Sequence, residues 1–147
     1  MKLSTRGRYG LMMMLDLAQH MGAEPVSLRA VAERQMLSES YLEQLVPPLR
    51  DAGLLRSVRG KQGGYVLGRS PAEITVGDIV RALEGPIAPV DCVNDQVEVD
   101  CPHYPDCPTR SVWLRLRDSI TQVLDSINLA DLMADAQRGG GRLLDSL

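Results

Sequence analysis

Apolar residues between Thr5 and about Met21 recur at a helical spacing, with Leu11, Met14, Leu15 and Ala18 at i, i+3, i+4 and i+7. This predicts a first helix with one buried face. The Met12–Met14 run reads as core filling, because flexible thioethers fill irregular gaps. His20 reads as a surface residue at the helix end. Gly22 to Pro25 break the pattern. Ser27 then predicts a cap for a short helix over Leu28–Gln35, with Leu28, Val31 and Ala32 inward. Met36 and Leu37 make a turn, and Ser38 caps a further helix whose Leu42, Leu45, Val46 and Leu49 must be buried. Its opposite face carries Glu39, Ser40, Glu43 and Gln44, with Tyr41 at the edge. Two short helices joined by a tight turn, the second polar outside, form a helix-turn-helix pattern. Pro47-Pro48 predict a kink near Val46 or a fresh helical turn at Pro47, since proline removes a helical hydrogen bond.

From Leu54 the period changes. Leu54-Leu55-Arg56-Ser57-Val58 and Tyr65-Val66-Leu67-Gly68-Arg69 are β-prone runs around the basic, glycine-rich tip Arg59–Gly64. A hairpin directly after a helix-turn-helix is the wing of a winged-helix domain. Thr75-Val76-Gly77-Asp78 start another helix, with Ile79, Val80 and Leu83 inside and Gly85-Pro86 at its end. From Pro86 to Pro108 periodicity is lost, and an irregular stretch of that length is functional or disordered. Helical spacing returns from Thr109 to about Ile127 in Val112, Leu116, Ile120, Val123, Leu124 and Ile127. A small winged-helix unit has little left to bury this stripe against. The same helix of a second copy would bury it and give a two-fold homodimer; packing against the first helix is the alternative. Ala130–Ala136 read as a short last helix. The expected fold is mainly α with a small β-hairpin wing. Its parts are a winged helix-turn-helix domain at 1–85, a cysteine-containing loop at 86–108, a dimerisation helix with a short terminal helix at 109–137, and a flexible tail at 138–147.

Composition sharpens this picture through its distribution. The 147 residues carry a formal charge of −3, which taken whole argues against a nucleic-acid partner. Residues 1–69 hold ten Lys/Arg and six Asp/Glu, a net +4, whereas residues 70–147 hold six and thirteen, a net −7. A basic contact module is joined to an acidic one. With four Tyr, one Trp and no Phe, the chain lacks the clustered aromatics of a single-strand-binding surface. The longest apolar run, Leu11–Leu15, is far too short to span a membrane, and no export signal is visible, so the chain reads as cytoplasmic.

Cys92, Cys101 and Cys107 are the only three cysteines, spaced C-x8-C-x5-C within the acidic irregular stretch. An odd count in a cytoplasmic chain argues for metal or redox chemistry over a disulfide framework. The spacing matches no common zinc finger, whereas three thiolates on one loop suit iron in a cluster. Three free or buried thiols are the plainer alternative. Toward DNA, Ser40, Glu43 and Gln44 are the candidate base readers: Gln pairs with adenine, and Glu accepts from cytosine N4. Tyr41, Ser57 and Lys61 are candidates for phosphate contacts, and Arg59 lies at the wing tip. Arg6 and Arg8 add non-specific attraction.

On these residues the chain resembles the IscR-like family of winged-helix iron–sulfur transcription regulators. The matching stretches are MKLSTRGRYG, SESYLEQLVPPLRDAGLL, SVRGKQGGYVLGR, ITVGDIVRALEG, the three-cysteine loop and TRSVW, reaching to about residue 137. The resemblance implies a homodimer on double-stranded promoter DNA, acting mostly as a repressor and commonly upstream of iron–sulfur assembly genes. It makes Glu43 a specificity glutamate and Arg59 a minor-groove arginine. It also implies a cluster, [2Fe–2S] favoured over [4Fe–4S], on the three cysteines and a fourth, non-cysteine ligand, with iron–sulfur assembly proteins as donors. Relatives often place a histidine three residues after the third cysteine, where this chain has Arg110, which offers iron no lone pair. His103 is the best local substitute, with Asp106, Asp100, Glu98 or a group from the partner's first helix as rivals.

The runner-up is a regulator of the same fold without a cluster, sensing through thiols, zinc, nitric oxide or a partner enzyme. An iron–sulfur enzyme or electron carrier is a different class, and no catalytic constellation or phosphate loop is present to support one. The basic wing would have no purpose in such a protein, and a third class is a protein–protein adaptor that uses the winged helix only as an interaction fold. No enzymatic activity is expected.

Overall fold

The computed structural model describes residues 3–104 and 106–139. Helices α1 (Thr5–His20), α2 (Leu28–Gln35) and α3 (Glu39–Asp51) lead into the hairpin β1 (Leu55–Val58) and β2 (Gly64–Leu67). Then follow α4 (Val76–Glu84), α5 (Arg110–Asp125) and α6 (Leu129–Gln137), with single 3-10 turns at Pro71–Glu73 and Asp91–Val93. The expected mobile tail lies, from residue 140 on, outside the described residues.

Local capping sets the helix starts. Ser27 Oγ accepts from the Ala30 amide and Ser38 Oγ from the Tyr41 amide, each at 3.2 Å. Thr75 and Asp78 form a reciprocal capping box at 3.0 Å in both directions. The proline pair does not split α3, and no new helix begins at Pro47. The bonds the two prolines cannot make would end on the carbonyls of Glu43 and Gln44, both exposed residues that water can satisfy.

The first helix departs from its one-sided expectation. Gly7, Gly10, Met13, Met14, Leu17 and Ala18 are buried, whereas Leu11 and Leu15 are only half-buried. The reason is position: α1 is the central helix, packed by α2, α3, α4, α6 and β2. At Gly10 a Cβ would lie 2.0 Å from Leu83 Cδ1, so the absent side chain is what lets α4 settle on α1. Met13 and Met14 fill the core, but Met12 is 38% exposed and lies outside it.

In the wing, Leu55 pairs with Leu67 and Val58 with Gly64. Val26, from the loop before α2, joins the sheet edge through two backbone bonds with Tyr65, at 3.0 and 2.8 Å. Only glycine fits at 64, because a Cβ there would sit 2.4 Å from the Val26 carbonyl oxygen. At the far end, the Val76 amide donates to the Ile127 carbonyl at 2.8 Å and the Leu129 amide to Ile74 at 3.0 Å. Leu129 is fully buried in the same core as Met14, so α6 returns to the α1 side. By contrast α5 has no buried residue and leaves Val112, Trp113, Leu116 and Val123 exposed.

A buried charge ties α1 to α2. Asp16 is 1% exposed, and Arg34 grips its carboxylate through Nε at 3.0 and 3.2 Å and through Nη2 at 2.7 Å. Gln35 Nε2 adds a donor at 2.9 Å. Burial alone would raise this carboxyl's pKa, but the bonds from Arg34 and Gln35 outweigh it and hold the group below the usual carboxylate range. Its stabilising contribution is therefore complete above the ordinary carboxylate pKa and is lost only as pH falls through the lowered value. Asp16→Asn should cost about 2–3 kcal/mol at pH 7, the worth of hydrogen bonds to a charged group. Urea denaturation across pH checks this, and the gap to the wild-type chain should close only in strong acid.

Candidate nucleic-acid interface and cysteine loop

The buried stripe of α3 turns Ser40, Glu43 and Gln44 outward, and all three are exposed. Tyr41 sits at the boundary, half-buried. Its hydroxyl donates to Thr5 Oγ1 at 3.2 Å, and its ring meets Tyr9 edge-on with centroids 5.9 Å apart. The outer face of α3 is thereby fixed to the first turn of α1, where Arg6 and Arg8 are exposed and Arg8 lies over the Tyr9 ring. On the wing, Ser57, Arg59 and Lys61 are exposed, and β1 packs beside α3. Polar helix face, basic hairpin and basic helix start thus belong to one packed unit.

One positioning residue is invisible in the periodicity. Glu84 Oε1, in the last turn of α4, accepts from the Ser4 amide at 2.9 Å, from the Ser4 hydroxyl and from the Gly7 amide at 3.2 Å. A carboxylate there satisfies the free amides of the α1 start and suits its dipole. A Cβ on Gly7 would stand 3.0 Å from Glu84 Cδ, so the glycines of the RGRYG stretch are the sequence sign of this close approach.

The cysteine loop is anchored from α5. Arg110 donates from Nε to the Cys92 carbonyl at 3.1 Å and lies 5.3 Å from the Tyr104 ring centroid. Two turns further on, Arg117 Nη1 donates to the Val93 carbonyl at 2.9 Å and pairs with Asp95 at 3.7 Å. Cys92 and Cys107 are partly exposed and Cys101 is exposed, as is His103. Among the described residues no three His, Cys, Asp or Glu side chains converge as metal ligands. The donor chemistry nevertheless fits a cluster: three soft thiols share one loop, and the pKa of one of them is lowered. The Cys107 sulfur lies 3.1 Å from Thr109 Oγ1, and that hydroxyl, followed by the backbone amides of Thr109 and Arg110, draws the thiol's pKa down.

A two-stranded wing packed beside the second helix of a helix-turn-helix defines a winged-helix transcription regulator. The model of the Rrf2 family, described as iron-dependent transcriptional regulators, matches residues 3–135, and the chain belongs to that family. It is 52% identical over 132 residues to the HTH-type transcriptional regulator CymR of Bacillus subtilis, spanning 90% of this chain and 89% of that one. The solved structure of that protein, described as a global cysteine regulator, gives a TM-score of 0.75 and 51% identity over 91% of this chain and 97% of its own. The structure of T. potens IscR gives 0.76 and 49% identity over 98% and 96% of the two chains. The regulator IscR of Vibrio vulnificus is 43% identical over 92% of this chain and 79% of its own length. The relatives are named as transcription regulators, not enzymes, and this chain is one. Among the described residues no helix is long and apolar enough to cross a membrane.

The Cys107 environment sets an order of reactivity in the reduced, metal-free chain. Thr109→Val should slow alkylation of Cys107 several-fold near neutral pH and leave Cys92 and Cys101 unchanged. Timed iodoacetamide labelling with peptide mass spectrometry, repeated across pH, measures the shift.

Proposed function

We propose that the chain is a homodimeric regulator that binds double-stranded promoter DNA and responds through its cysteine loop. The observation that carries the DNA reading is the exposed Ser40–Glu43–Gln44 face of α3 beside a basic wing within one packed unit. In this reading Gln44 and Glu43 face base edges, and Ser40 adds a further polar contact. Tyr41, Ser57 and Lys61 hold the phosphate backbone, while Arg59 enters the minor groove beside the half-site. Glu43 repels phosphate, so sites lacking a suitable donor are disfavoured.

The dimer reading rests on α5. Its exposed Val112, Leu116 and Val123 lie along one stripe, and Leu3, Val80, Ile87, Ile120 and Leu124 line an apolar groove beside it. A second α5 would cover both, and a two-fold pair would set two recognition helices at the spacing of adjacent half-sites.

In the cluster reading, Cys92, Cys101 and Cys107 hold an iron–sulfur cluster, [2Fe–2S] favoured over [4Fe–4S], loaded by iron–sulfur assembly proteins, with His103 the first local choice for the remaining ligand. When bound, such a cluster supplies sensitivity to iron supply and oxidants. Arg110 does not ligate; it ties Cys92 to the first turn of α5, so the state of the loop bears on the dimer helix and on the spacing of the recognition helices. The target genes under this reading are those of iron–sulfur assembly, with repression the main mode. A cluster-free reading has its own support: the Thr109 hydroxyl beside the Cys107 sulfur lowers that thiol's pKa, in the direction thiol sensing needs, and CymR, a relative at 52% identity, is described as a cysteine regulator.

Anaerobic purification with visible absorption and iron and sulfide counts separates the two readings. A cluster lost in Cys101→Ser supports the first; full DNA regulation by a colourless protein with no iron supports the second. Independently, Leu116→Asp should convert the dimer to monomer in analytical ultracentrifugation and weaken DNA binding at least tenfold, by removing one of two half-site contacts.

A further inference from the structure

The turn between α2 and α3 holds a residue the fold does not need. Met36 is the sole non-glycine among the described residues with positive φ, at φ 54° and ψ 44°. This is the left-handed region, where a side chain beyond Cβ is strained and glycine or asparagine is relaxed. The helix end itself is satisfied by backbone: the amides of Met36 and Leu37 both donate to the Ala32 carbonyl, the latter at 2.9 Å. Leu37, not Met36, provides the apolar contact of this cap, packing half-buried on the core. The Met36 side chain is 90% exposed, the most exposed of the large apolar residues described. Glycine would fit the backbone better, and no packing favours methionine.

Its place explains it. Met36 is three residues before Glu39, the first residue of α3, so at most about 10 Å of chain separates it from the end of the helix bearing Ser40 and Glu43. In helix-turn-helix docking the N-terminal residues of the second helix are the ones that meet base edges in the major groove, and here that helix is α3. The apolar feature of that groove is the 5-methyl group of thymine. We propose that Met36 is a specificity-determining residue whose thioether contacts a thymine methyl at the edge of each half-site, beside the bases faced by Ser40, Glu43 and Gln44. The inference rests on the DNA-binding reading and adds to it a preference for T that no polar residue of α3 supplies. Methionine suits the task because its unbranched chain adapts to the groove wall.

The test begins with selection of duplexes from a randomised library by the full-length wild-type protein. The best duplex is then remade with deoxyuridine replacing thymine at each site in turn, and affinities are measured for wild type, Met36→Gly, Met36→Asn and Met36→Leu. Wild type and Met36→Leu should lose about fourfold on removal of one particular methyl, the worth of one buried carbon. Met36→Gly and Met36→Asn should bind both duplexes alike while melting at the same or a higher temperature, which shows that lost discrimination is not lost folding. Equal thymine preference in all four proteins overturns the proposal and leaves the DNA reading standing. Failure of wild type to select any duplex, or unchanged binding by the Gln44→Ala, Arg59→Ala double variant, overturns the DNA reading and the proposal with it.

Discussion

The bidentate grip of Arg34 on the buried Asp16 carboxylate is the interaction from which the DNA-facing half takes its geometry. A carboxylate this deep tolerates only an arrangement that supplies donors to it, so α2 has one acceptable register on α1. Hydrophobic burial alone would not choose: Leu28 and Val31 could slide along the methionine-rich face of α1 at small cost. Arg34 and Gln35 convert that soft contact into a fixed one. Because α2 and α3 are joined by only a three-residue turn, fixing α2 also fixes where α3 begins. The recognition surface thus owes its position to a charge that never meets the solvent.

From α1 the same logic runs outward in both directions. At its C-terminal half sits the Asp16 grip. At its start, Glu84 satisfies three donors from Ser4 and Gly7, and Tyr41 reaches Thr5. Glu84 belongs to α4, the last element before the cysteine loop, and Tyr41 belongs to α3. The first turn of α1 therefore joins the end of the winged domain nearest the loop to the helix that faces DNA. Its charge also has a consequence there. The Glu84 carboxylate takes the α1 amides that a phosphate would otherwise use, which leaves phosphate attraction at this edge to the side chains of Arg6 and Arg8.

Much of this was legible in the sequence, for identifiable reasons. The caps Ser27, Ser38 and Thr75 announce helix starts through local chemistry, and all three act as read. The wing is written in its glycines, though the constraint at Gly64 comes from Val26, a neighbour 38 positions away that no local pattern reveals. The face of α1 was misjudged because periodicity assumes one buried side, whereas a central helix has several. Asp16 stood in plain view as a lone charge within the apolar run from Leu11 to Ala18, yet its partners Arg34 and Gln35 cannot be paired with it by spacing. Glu84 is a contact across 77 positions at Gly7 and was illegible for the same reason. Arg110 offers a metal no lone pair, and that it ties the loop to α5 emerges only in three dimensions.

The cysteine loop is held unevenly. Between residues 90 and 104 its backbone bonds are short-range turns: Val93 to Val90, Asn94 to Asp91, Val97 to Asn94 and Tyr104 to Cys101. Tethers from elsewhere in the chain come from two arginines of α5, on the carbonyls of Cys92 and Val93. The end of the loop near Cys92 is thus pinned to α5, while the stretch carrying Cys101 and His103 rests on a local turn and on the contact of the Tyr104 ring with Arg110. A segment with so few long-range bonds opposes rearrangement less than the packed core does. On the proposed reading the lightly held Cys101 end is where an input acts, and the bonds from Arg110 and Arg117 are what join the loop to α5.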